Sequence, residues 1–169
     1  MPRRTLLLCA LAGLAAPASA QYAIVNDRPG TFTDISTTGT VVGNGDDIIF
    51  SFTSAVGNAL FPAGTVFVCT NGFMSAGSVS PGSSYVNDVI PSSGVPTGMT
   101  AGATGYLLPF WDDLHGGRNA GSTIYFFQSP SGDVTVSWEN WSLYAADSTN
   151  TANLNFQVII RANQEIEFV

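Results

Sequence analysis

The chain contains no lysine. Its cationic side chains are five arginines, and two of them, Arg3 and Arg4, sit at the extreme N-terminus. Residues 21–169 hold three arginines against twelve acids, a net charge of −9. A surface so acidic repels phosphate backbones and anionic bilayers, which excludes nucleic acid as a partner. Cysteine is nearly absent as well. Beyond residue 20 only Cys69 remains, so no internal disulfide forms and stability must come from a packed core. Cys69 itself reads as a small buried apolar residue in a strand. There is one histidine, His115. Past the first 20 residues no apolar run approaches the roughly 20 residues a membrane helix needs. No segment sustains a 3.6-residue apolar period, which argues against amphipathic helices.

What is present at the N-terminus is an address. Arg3 and Arg4 form a basic start, Leu6 to Ala16 an apolar stretch, and Ala18-Ser19-Ala20 a small-residue cleavage site. Residues 1–20 are therefore predicted to be a signal peptide, with Gln21 as the mature N-terminus. The arginine pair fits either general secretory or twin-arginine export. The remaining 149 residues suit one domain with a real core. Val169 falls inside an apparent strand, which favours a chain cut from a longer product.

Period-2 alternation recurs along the rest. Ile48, Phe50 and Phe52 share a face in DIIFSF, and Val66 and Val68 alternate with Phe67 and Cys69 before the turn signal Asn71-Gly72. Val134, Val136 and Trp138 alternate with Thr135, Ser137 and Glu139; Leu154, Phe156, Val158 and Ile160 repeat the pattern, and Ile166 and Phe168 close it. Ser122 to Gln128 is apolar on both faces. Ser129–Asp133 and Ala162–Gln164 are hairpin loops, and Gly77 to Gly105 is a long surface passage that holds at most a short strand at Tyr85 to Ile90. These signals predict an all-β antiparallel sandwich of short strands, one domain over residues 21–169.

The stretch LLPFWDDLHGG, Leu107 to Gly117, is where chemistry would be sought. Asp112 and Asp113 are adjacent, so on a strand they point to opposite faces and cannot flank one glycosidic bond. A partner carboxylate would have to come from Asp46, Asp47 or Asp147. His115 has no nucleophile signature around it, and no G-x-S-x-G turn exists. The spacing matches neither a zinc site nor an EF-hand. A weak calcium site could still gather Asp46 and Asp47 with Asp112 and Asp113; otherwise no cofactor is expected. The architectural reading has Leu107 to Trp111 as a central strand leaving the core, its acids ending it, with Pro109 at an edge or bulge.

Pro109-Phe110-Trp111-Asp112-Asp113, Ile124-Tyr125-Phe126, Val136-Ser137-Trp138 and Phe156-Gln157-Val158-Ile159-Ile160 stand in the order and spacing of the NIDO domain of nidogen-like extracellular proteins, particularly its bacterial relatives. Val66 to Gly77 resembles the strand that precedes that motif, with Ala76 where an aromatic is common. The resemblance is strongest over residues 48–169. It implies a β-rich extracellular domain, secreted or at the cell surface, associated with matrix or cell-surface adhesion through protein contacts. It implies no catalytic activity and transfers no catalytic residues.

The alternative function is a carbohydrate-binding module, in which Trp141 and Tyr144, with Tyr85, offer a platform to sugar rings. Strand parity places Trp141 opposite Trp138, among the outward residues, unless a bulge intervenes. Burial is nevertheless the expectation for Trp141, because an exposed indole forgoes about 25 cal/mol per Å² of apolar burial. The partner is thus an extracellular protein or a surface glycan.

Overall fold

A computed structural model describes residues 30–57, 61–86, 97–100, 104–144 and 152–169. The predicted signal peptide, most of Tyr85 to Ile90, and Asp147 lie outside these residues. Among the described residues ten strands follow in order: β1 (Thr40–Gly43), β2 (Ile49–Ser54), β3 (Gly64–Cys69), β4 (Phe73–Ala76), β5 (Thr104–Leu107), β6 (Leu114–His115), β7 (Thr123–Gln128), β8 (Val134–Leu143), β9 (Leu154–Ile160) and β10 (Ile166–Phe168). There is no helix among the described residues, and so none long and apolar enough to cross a membrane.

The strands form two antiparallel sheets, and the protein is an all-β sandwich. The larger sheet runs β1-β7-β8-β9-β10, with β6 paired to the end of β8; the smaller runs β2-β3-β4-β5. Period-2 alternation places Val66, Val68, Met74 and Leu107 of the smaller sheet against Ile124, Val136, Trp138, Phe156 and Val158 of the larger. Trp138 anchors this core. It is fully buried, stacks on Phe156 with ring centres 5.0 Å apart, and donates from Nε1 to the Cys69 carbonyl at 2.9 Å. One indole thus ties the two sheets together.

Cys69 is buried, as read from the sequence, but on the far side of the smaller sheet. There it packs with Phe73, Met99 and Trp111 in a second cluster. Burial pushes its thiol up to about 12, so at neutral pH the thiol is protonated.

The stretch after Leu107 corrects the sequence reading. β5 is an edge strand, not a central one, and it ends at Leu107. Pro109 has no N–H to continue a ladder, so the chain turns there. Phe110 N–H then donates to the Gly72 carbonyl (3.3 Å) and Asp112 N–H to the Asn71 carbonyl (3.3 Å), docking the turn on the β3–β4 hairpin. Trp111 leaves the inter-sheet core and covers the smaller sheet from outside, held by Nε1 to the Ser84 carbonyl at 3.1 Å. Phe110, partly exposed, packs at a tilt against the Phe156 ring.

Parity is broken once on β8. Trp138 pairs with Phe156 and Trp141 with Leu154, so three steps on one strand match two on the other. Asn140 takes the extra step at φ 62°, a conformation asparagine tolerates better than most residues. The bulge returns Trp141 to the core side.

Residues 31–38 carry no strand or helix pattern, yet they lie across the outer face of the larger sheet as a strap. Thr33 N–H donates to Gln157 Oε1 at 3.1 Å, and the Gln157 amide donates back to the Thr33 carbonyl. Ile35 N–H donates to Glu139 Oε1 (3.3 Å), which also accepts from the Ser137 hydroxyl (2.9 Å). Ser137, Glu139 and Gln157, outward by alternation, are consequently buried.

Burial holds the Glu139 carboxyl above the ordinary glutamate range against those two hydrogen bonds, and the charge of Asp34 on the strap adds to the rise. A raised folded value favours the protonated form. Its stabilisation is complete below about pH 4.5, the ordinary value, and is lost as pH rises through the raised one. Glu139→Gln keeps an acceptor for Ile35 and Ser137 without the charge. Thermal unfolding should find it more stable than the wild type at neutral pH, the gap closing as pH falls toward the ordinary glutamate value. Equal curves at both ends would mean that Glu139 titrates as it does in water.

Candidate functional site

One end of the sandwich gathers most of the residues singled out in the sequence. The β3–β4 hairpin turns through Asn71 and Gly72. Asn71, fully buried, is the joint: its Nδ2 donates to Asp47 Oδ1 (2.7 Å) and to the Ser83 carbonyl (3.3 Å), and its Oδ1 accepts from Leu114 N–H (3.1 Å). Asp46 forms an isolated bridge with His115, and Gly116 N–H donates to the Gly45 carbonyl at 2.9 Å. Tyr144 N–H donates to the Asp113 carbonyl at 2.6 Å. The loop before β2, the Asp112-Asp113 turn and the end of β8 are thereby held side by side.

The result is a carboxylate cluster. One oxygen each of Asp46, Asp47 and Asp113 lies within 4.8 Å of the others, with Asp46 and Asp47 exposed and Asp113 half-buried. Asp112 is not part of it; its Oδ1 accepts from the next N–H, that of Asp113, at 2.8 Å. Of the four acids gathered in the sequence reading, Asp46, Asp47 and Asp113 converge and Asp112 does not. Burial raises the Asp113 carboxyl, and the charges of Asp47, Asp46 and Asp112 raise it further, while His115 opposes the rise. Such a set has the oxygen chemistry of a hard divalent cation.

His115 borders the cluster. Its Nδ1 accepts from Gly117 N–H at 2.9 Å, and its Nε2 is 3.9 Å from Asp46 Oδ2. Its ring stacks on Tyr144 at 5.9 Å, and the Arg118 guanidinium lies 5.1 Å from the centre of the same tyrosine ring. No sequence signal announced this stack, because Tyr144 and His115 meet only through the pairing of β6 with β8.

The platform reading is corrected here. Tyr144 is 48% exposed, but Trp141 is 0% exposed and donates from Nε1 to the Thr123 carbonyl at 3.3 Å. Gly116 lies so close under its six-membered ring that a Cβ there would be 2.7 Å away. The Asn140 bulge puts the indole in the core between the two sheets, so Trp141 and Tyr144 cannot face one sugar together. Tyr85 is exposed.

The family model described as NIDO related matches residues 21–169. The chain belongs to this family. Comparison with curated proteins and with solved structures returns no match. The residues that carry the NIDO resemblance have structural work in this chain. Phe110 and Trp111 close the turn over the hairpin, Asn71 and Gly72 receive it, and Trp138, Phe156 and Val158 form the core. Asp113 is the one motif residue that also reaches the carboxylate cluster.

Proposed function

We propose that this protein is a secreted, non-catalytic nidogen-like module that acts in cell-surface or matrix adhesion through protein–protein contacts. The observation that carries the reading is membership of the NIDO-related family over residues 21–169, a match beginning at the residue where the predicted signal peptide would be cut. The acidic, lysine-free composition suits an exported protein that meets neither nucleic acid nor anionic bilayers. The experiment has two arms. Expression in a secreting host followed by N-terminal sequencing should recover a chain starting at Gln21 from the medium. The immobilised chain should then bind saturably to one or more of a panel of purified matrix and surface proteins. An uncut chain retained in the cytoplasm, or an absence of protein binding across the panel, would overturn it.

A second reading, favoured by the convergence of Asp46, Asp47 and Asp113, is weak calcium binding at that cluster. A ligand that binds only the folded state at about 100 times its dissociation constant adds about 2.7 kcal/mol. Calcium titrated during thermal unfolding should raise the midpoint of the wild type and of Asp112→Asn, but not of Asp113→Asn. In chelator, Asp113→Asn should be the more stable protein at neutral pH, because it removes a carboxylate whose charge is disfavoured by burial and by the neighbouring acids. A calcium response that survives in Asp113→Asn would place the ion elsewhere, and no response at all would leave the cluster as repelling surface acids.

A further inference from the structure

The strap over the larger sheet leaves a groove beside it of about 420 Å³, within the size range of small-ligand sites. Its floor is one row of the sheet. Phe127 pairs with Thr135, Thr135 with Ile159, and Ile159 with Glu167, so the four side chains line up across β7, β8, β9 and β10 on the outer face. With neighbouring strands about 4.8 Å apart, that row is about 14 Å long. The strap supplies one wall through Thr31, Thr33 and Thr38. The β7–β8 and β9–β10 hairpins close the end with Asp133 and Arg161.

The charged end is built in advance. Arg161 donates from Nη1 to Asp133 Oδ2 (3.1 Å) and from Nη2 to Glu167 Oε2 (2.7 Å), while Asp133 Oδ1 accepts from Ala162 N–H (2.9 Å). All three side chains remain about a quarter to a third exposed, so a ligand can reach them. Two carboxylates around one guanidinium leave a net charge of −1, which disfavours anions. The guanidinium between the carboxylates disfavours cations. Acceptors, a five-donor fork and threonine hydroxyls that do both stand around a floor of Phe127 and Ile159. A ligand that matches has donors and acceptors alternating on its rim and an apolar ring face.

We propose that this groove binds a neutral saccharide, whose ring rests on Phe127 and Ile159 and whose adjacent hydroxyls donate to the remaining lone pairs of the Asp133 and Glu167 carboxylates and accept from the remaining N–H groups of Arg161. The site is separate from the Trp141–Tyr144 platform that burial rules out, and it goes beyond the adhesion reading. An adhesive protein could keep its protein partner with this groove disabled.

The test uses the full chain and four neutral disaccharides as probes, maltose, cellobiose, lactose and chitobiose, each at millimolar concentration. Amide chemical shifts are followed by NMR, and affinity is measured by titration calorimetry. At least one disaccharide should shift the amides of Phe127, Thr135, Ile159 and Glu167. Phe127→Ala removes the ring under the sugar, and Glu167→Gln replaces an acceptor with nearly unchanged shape; each should weaken binding about tenfold or more. Tyr144→Ala should bind as the wild type does. The variants' unfolding midpoints separate loss of the site from loss of the fold, and Glu167→Gln carries the test if Phe127→Ala unfolds. The proposal is overturned if no probe shifts that row, if binding survives both variants, if Tyr144→Ala abolishes it, or if a uronic-acid disaccharide binds more tightly than every neutral one.

Discussion

Replacing Trp138 with alanine should cost about 3 to 5 kcal/mol of unfolding free energy, the usual range for a buried tryptophan. The upper end is expected for two reasons. The side chain is fully buried between the sheets and stacked on Phe156, so its removal opens a cavity that β strands paired on both sides cannot close. It also removes one of two hydrogen bonds the Cys69 carbonyl accepts, the other coming from Gly72 N–H at 3.2 Å, and a lost intramolecular hydrogen bond costs about 0.5 to 1.5 kcal/mol. Domains of this kind hold about 5 to 15 kcal/mol in total, so the variant should sit near the edge of folding. Chemical denaturation of Trp138→Ala and Trp138→Phe measures both contributions. Phenylalanine keeps much of the apolar volume and loses the hydrogen bond, so it should cost markedly less than alanine. A loss below about 1 kcal/mol in the alanine variant would mean that this face of β8 is not the core.

Trp138 was legible because β8 obeys strict alternation from Val134 to Trp138, and β9 repeats it from Leu154 to Ile160. Three residues on, the same rule fails for Trp141. The bulge at Asn140 is set by pairing with a strand a dozen residues away, and only the tolerance of asparagine for positive φ hinted at it. Ser137, Glu139 and Gln157 fail differently. Their alternation is correct and they do face outward, but a segment more than a hundred residues away in the chain covers them. Alternation identifies which face a residue takes, not what lies on that face.

The carboxylate cluster shows the same boundary. Asp46 and Asp113 are brought together by the bridge of Asp46 to His115 and by Asn71, whose amide holds Asp47 on one side and Leu114 on the other. None of those contacts leaves a local pattern. Adjacent acids could be seen to diverge, since neighbours on an extended chain must; which of Asp112 and Asp113 joins the cluster could not. Pro109 did carry usable information. It placed a break or an edge at that position, and β5 proved to be an edge strand that ends two residues before it.

Gly72 is where the hairpin, the turn and the cluster depend on one missing methyl group. Its φ is +75°, which for any residue with a Cβ costs about 1 to 2 kcal/mol. A Cβ there would also lie 1.9 Å from the Phe110 carbonyl oxygen and 2.8 Å from its carbon. Those are backbone atoms of the docked turn and cannot swing aside as a flexible side chain would. Relief requires the Phe110–Asp112 segment to lift off the hairpin, stretching the Phe110–Gly72 and Asp112–Asn71 hydrogen bonds and the Leu114 bond to Asn71. Overpacking of this kind adds about 1 to 3 kcal/mol, so Gly72→Ala should lose about 2 to 5 kcal/mol in all. Gly121→Ala is the matched control: its φ is +82°, but the nearest atom to an added Cβ is the Asn140 side-chain amide at an ordinary 3.7 Å. It should show the backbone cost alone. The excess of Gly72 over Gly121 in denaturant unfolding measures the docking of the turn. Because lifting that turn carries Asp113 away from Asp46 and Asp47, the Asp113 carboxyl should also titrate closer to the ordinary aspartate value in Gly72→Ala, read from its side-chain NMR signal. Equal losses at the two glycines, with Asp113 unmoved, would mean that the turn does not rest on the hairpin.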